Sequence, residues 1–156
     1  MKKNIILVML LVSSLVYSQN KTSIDPLLEP YVLSYVNDGI ERGYNPISDI
    51  LKNVDSIVVD YKLNYPNLGY YDSKNKSIHI ASFTFIDKLI VRSTVYHELT
   101  HGVTLNNGHV CFKCGDIMSQ HSPDTFSKYA IREIWSKAVD NLFTLIKDYK
   151  KNKYEI

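Results

Sequence analysis

The chain has 156 residues, 45% hydrophobic and 22% charged, the balance of one ordinary globular domain rather than a disordered or multidomain chain. Its formal net charge is +2, and Lys2 and Lys3 account for the whole excess, so the remainder is electrically balanced. That excludes the basic footprint of a nucleic-acid-binding protein.

The first residues, Met1-Lys2-Lys3-Asn4, are followed by an apolar run over residues 5–12 and small residues to Ser18. A basic start, a short apolar run and a small-residue end predict a secretory signal peptide over residues 1–18, cleaved near Ser18. The run is short for a membrane-spanning helix. A single domain over residues 19–156 is therefore expected, exported to the periplasm or beyond, with no stable membrane insertion after cleavage.

Residues 19–25 read as a flexible mature N-terminus. Asp25-Pro26 offers a cap and a first-turn proline. Tyr31, Val32, Tyr35, Val36 and Ile40 recur at helical spacing, and Gly43 is a natural stop. A short helical turn is expected over residues 47–54. Residues 56–61 are rich in β-branched side chains and predict a strand. Residues 68–71 and 77–81 predict two more, joined as a hairpin by a polar turn. His79 alternates with Ile78 and Ile80 and so faces away from them, as a solvent-facing strand residue.

From about residue 85 to 105 the pattern is helical again. Ile86, Ile90, Thr94, His97 and His101 line one face, and Val91, Val95 and Leu99 another. A helix apolar on several sides is buried. Asn106-Asn107-Gly108 is expected to end it, because these residues accept left-handed backbone angles.

Within that helix stands His97-Glu98-Leu99-Thr100-His101. Residues four apart share a helix face, so His97 and His101 can present two imidazole nitrogens to one ion. Glu98 flanks the ion without ligating it. This spacing is that of a zinc hydrolase, in which the metal acidifies water and the carboxylate takes its proton. A catalytic zinc site needs a third protein ligand and one open position. His109, just past the Asn-Asn-Gly turn, is the nearest candidate; Asp116 and Glu133 are the others. Zinc, one ion per chain, is the expected cofactor.

Cys111 and Cys114 are the only cysteines. In an exported protein such a pair reads as a small disulfide staple. His121, in the loop that follows, reads as a surface residue, with donation to an oxyanion as its functional alternative. A last helix begins after Ser122-Pro123-Asp124, with Phe126, Ala130, Ile134, Ala138, Leu142, Leu145 and Tyr149 as its apolar spine and a lysine-rich end that suits the helix dipole.

His97-Glu98-x-x-His101, the glycine turn, His109 and Ile117-Met118-Ser119 together resemble the metzincin metallopeptidases. The cysteine pair after His109, with Met118 beyond, is closest in pattern to the archaemetzincins. The resemblance covers roughly residues 68–120. Where the family places its third histidine this chain has Asn107, and His109 lies two residues further on. The resemblance implies an α+β, zincin-like fold: a mixed sheet, a buried active-site helix and a long C-terminal helix. It implies zinc held by His97, His101 and His109, Glu98 as general base, Met118 in a turn under the metal, and a peptide or protein substrate laid along an edge strand, here residues 77–81. Two alternatives stand beside it. One is a gluzincin-like peptidase with Glu133 as third ligand. The other is a non-catalytic exported binding domain stabilised by zinc.

Overall fold

The computed structural model describes residues 22–109, 117–118 and 128–154, with the side chains of 128–133 and 153–154 left outside that description. The architecture is α+β, as expected: among the described residues, a four-stranded mixed sheet and four α-helices. In chain order these are β1 (Ser23–Ile24), α1 (Glu29–Glu41), α2 (Ile47–Asn53), β2 (Ser56–Asp60), β3 (Gly69–Asp72), β4 (Ser77–Ala81), a 3-10 segment (Ser82–Ile86), α3 (Lys88–Thr104) and α4 (Lys128–Tyr154). No helix among the described residues is long and apolar enough to cross a membrane.

The sheet order is β1-β2-β4-β3. β1 and β4 each run parallel to β2, and β3 runs antiparallel to β4. Two expectations change here. Residues 23–24 form a strand rather than a flexible terminus: Thr22 Oγ1 donates to Val54 O at 2.6 Å, Ser23 N to Asp55 O and Asp25 N to Ile57 O. And residues 77–81 are an interior strand, bonded on both sides; the edge strand beside them is β3.

The helices begin where local chemistry favours it. Asp25 accepts the Leu27 amide through its side chain and the Leu28 amide through its carbonyl, so it shapes the turn ahead of α1, whose first turn carries Pro30. Asp87 caps α3 by accepting the Leu89 amide at 2.8 Å, which satisfies one of the amides a helix start leaves free. The expected helix over 85–105 therefore starts three residues late, and Ile86, expected on its inner face, is 85% exposed on the 3-10 segment.

α3 occupies the centre. It packs on β3 and β4 and is surrounded by α1, α2 and α4; every residue from Ser93 to Thr104 is buried. Its apolar side chains, Val91, Val95, Leu99 and Val103, join Ile57, Ile78, Ile80, Tyr35 and Phe143 in one core. α4 meets this core through Ala138, Val139, Leu142, Phe143 and Ile146. Ile134 and Leu145, expected on its spine, are each 37% exposed. The reason is geometric: at 3.6 residues per turn the buried face of α4 is centred on Ala138, Val139, Leu142, Phe143 and Ile146, and Ile134 and Leu145 fall together on its flank.

Gly102 is required where α3 crosses the end of α2. A Cβ there would lie 2.7 Å from Val54 Cγ2, and Val54 is fully buried. Gly102→Ala is expected to lower unfolding stability by about 1–3 kcal/mol through overpacking, and Val54→Ala in the same chain to restore part of the loss. Urea denaturation of the single and double variants checks this.

Candidate metal centre

The site is built on the last two turns of α3. His97 and His101, both buried, place their Nε2 atoms 3.0 Å apart. The chain then reverses, and His109, exposed at the rim, brings its Nε2 to 3.1 Å from that of His97. The reversal does not happen at Asn106-Asn107-Gly108. It happens at Leu105, which adopts the left-handed conformation (φ 56°, ψ 33°) while its amide closes on His101 O. A side chain pays an energetic penalty of about 1–2 kcal/mol in that region, and strain of this kind concentrates at functional sites.

The protonation of two ligand rings follows from their partners. His97 Nδ1 lies 2.6 Å from Ile117 O, and His101 Nδ1 lies 2.6 Å from Asn106 O. A carbonyl oxygen only accepts, so Nδ1 carries the proton in both rings. Their Nε2 atoms then face each other with lone pairs and no proton between them. A cation at the focus relieves that opposition. Ligands at about 2.0–2.1 Å from a tetrahedral zinc are roughly 3.3 Å apart, close to the separations seen here. All three ligand atoms lie within 4.8 Å of one another, and His97, His101 and His109 can hold a metal ion. The carbonyls on Nδ1 are the outer partners that commonly orient metal-ligating histidines.

Burial, and after it the neighbouring His101, pushes the His97 pKa down to about 3. Burial also lowers His101 and His109. All three rings are thus biased toward the neutral form that a metal needs.

Glu98 is buried next to His97 and faces β3. Burial raises its pKa to about 8, and a hydrogen bond from the Tyr71 amide partly opposes the shift. That amide is free for Glu98 because of the β3–β4 register. Opposed residues in an antiparallel pair alternate between bonded and non-bonded. Ala81 N donates to Leu68 O at 2.8 Å, so Tyr71, paired with Ile78, turns its amide outward to the edge. Gly69 allows the close approach: a Cβ there would be 3.0 Å from Thr94 Cγ2 and 3.2 Å from Glu98 Cγ.

The structure therefore brings together His97, Glu98, His101 and His109. Met118 is buried in the core beside the carbonyl that holds His97. Asp116, Cys111, Cys114, His121, residues 1–18, expected as a signal peptide, and the Glu133 side chain lie outside the described residues. His79 does face away from Ile78 and Ile80, but it is half-buried rather than solvent-facing: it stacks on Tyr70 and bonds Asp60 and Ser77. The groups that sequence reasoning missed are backbone ones, the carbonyls of Ile117 and Asn106 and the amide of Tyr71. No residue type announces them.

Comparison with protein families, with characterised proteins and with solved structures finds no match to this chain.

Protons compete with metal for such rings, so acid would release an ion bound there. Because burial lowers all three pKa values, that competition is weaker than for exposed histidines. Half-release of zinc at micromolar metal is expected below pH 6.5, the ordinary imidazole value. Dialysis at stepped pH followed by elemental analysis checks this; half-release at or above pH 6.5 contradicts it.

Proposed function

We propose that the protein is an exported zinc metallopeptidase. The observation that carries this reading is the convergence of three imidazole nitrogens beside a buried carboxylate that takes no part in holding the ion. A purely structural zinc site is usually closed by four protein ligands, whereas a catalytic one keeps a position open. The family resemblance, with Met118 near the ligands, supports the same class, and the apolar leader over residues 5–12 supports export.

In this reading His97, His101 and His109 hold the ion. When bound, zinc supplies Lewis acidity toward water and toward a scissile carbonyl. Glu98 supplies the proton traffic: its carboxylate takes a proton from the attacking water and delivers it to the leaving amine nitrogen. Its burial keeps bulk water away from that exchange, and a cation next to it opposes the upward push that burial gives its pKa. The substrate meets the β3 edge rather than residues 77–81. Gly69 turns its amide and carbonyl outward and Tyr71 its carbonyl, the Tyr71 amide being held by Glu98, and an extended peptide can pair there as an added strand.

A second reading has one observation in its favour. Glu98 already has a partner in the Tyr71 amide, so it can serve to dock β3 on α3 in a domain whose ion only stabilises the fold. Glu98→Gln separates the two. The amide side chain still accepts from Tyr71 but cannot act as a base. The peptidase reading expects zinc content unchanged and hydrolysis of a fluorescent casein reduced by roughly 10²–10⁴-fold. His109→Ala should release zinc to a mild chelator. Equal casein cleavage by wild type and Glu98→Gln would remove Glu98 from the chemistry, and a His109→Ala variant that binds zinc like wild type would remove His109 from the ligand set.

A further inference from the structure

β3 is the element that faces Glu98 across the site, yet it is four residues long and bonded to one neighbour only. Short edge strands fray unless their side chains are held. The inner face of β3 is held by Tyr71, whose ring is buried and whose hydroxyl donates to Asn53 O at 3.0 Å. On the outer face, opposite Tyr71, Tyr70 lies flat on His79, with ring centroids 4.5 Å apart and planes 5° from parallel. The two are direct cross-strand partners. His79 is itself fixed from both ends: Nδ1 is 3.2 Å from Asp60 Oδ2 on β2, and Nε2 is 3.0 Å from Ser77 Oγ on β4. Three strands are therefore tied through one imidazole, and the exposed edge strand is fastened to it by one ring.

We propose that the Tyr70–His79 stack is a positioning device that holds the β3 edge against Glu98 and so sets how a substrate strand aligns there. Its mechanical part depends only on the contacts above. Its substrate part rests on the peptidase reading. Tyr70 and His79 touch neither the ligands nor Glu98 in this arrangement; they act through the backbone of β3. Breaking the stack should loosen the edge without disturbing the ion, and should weaken substrate alignment more than the chemical step.

The test uses Tyr70→Ala, His79→Ala and His79→Phe in the full chain. Tyr70→Ala removes a half-exposed ring and spares the core. Hydrogen exchange should be about five-fold faster in β3 and unchanged in α3, with zinc content equal to wild type. With fluorescent casein, KM should rise about five-fold while kcat stays within about two-fold. His79→Phe retains an aromatic partner for Tyr70 and should restore most of what His79→Ala loses. Unchanged β3 exchange in Tyr70→Ala overturns the proposal, as does His79→Phe behaving like His79→Ala. If β3 exchange responds as expected but wild type cleaves no casein, the positioning role stands and the peptidase reading falls.

Discussion

A polar helix buried on all sides is the constraint on which the rest of this structure depends. α3 carries Thr94, His97, Glu98, Thr100, His101 and Thr104 into the centre of the protein. Burying such groups unpartnered costs several kcal/mol in total, so each has to be satisfied where it lies. The threonines satisfy themselves by bonding back to carbonyls of the previous turn. The others require partners from elsewhere in the chain, and those partners define the fold around the helix. Residue 117 supplies a carbonyl to His97, the reversal after Thr104 supplies one to His101, and the β3 edge supplies an amide to Glu98. The opposite side of α3 follows the same rule with one exception, Arg92 Nε, which is buried without a hydrogen-bond partner. Tyr96 and Arg92 share Asp38 and Ser34 of α1, with the Arg92 guanidinium 4.7 Å above the Trp135 ring of α4.

The three imidazole nitrogens do not fit this pattern of mutual satisfaction. Two are lone pairs by the logic of their Nδ1 partners, and both point to a shared focus. Protein groups alone leave that arrangement electrostatically opposed, and a cation resolves it. Placing Glu98 beside the focus, with its own anchor on β3, couples the candidate metal site to an edge strand of the sheet.

Much of the metal centre was legible in the sequence because its information is local. An i, i+4 histidine pair shares a helix face whatever the surrounding fold, and a stop signal at Asn106-Asn107-Gly108, immediately before a third histidine, limits where that histidine can go. The hairpin was legible for the same reason, since a polar turn joins adjacent strands. The sheet order was not. Whether residues 77–81 or 69–72 form the edge depends on the parallel pairing of β4 with β2, a contact between segments with no local signature. β1 was hidden similarly, because two residues pair only once β2 exists to receive them. The helix end was misplaced for another reason. Asn107 and Gly108 are the residues that accept left-handed angles most readily, yet Leu105 takes that conformation, because the reversal has to come early enough to deliver Asn106 O to His101.

His97, His101 and His109 can hold one metal ion, and the proposed function requires that ion to be zinc. Elemental analysis of protein purified without chelator, alongside His97→Ala prepared identically, tests it most directly. About one zinc per wild-type chain and a loss of nearly all of it in the variant is the predicted result. Wild type that takes up no zinc even after incubation with it, or His97→Ala that retains a full equivalent, would contradict the account.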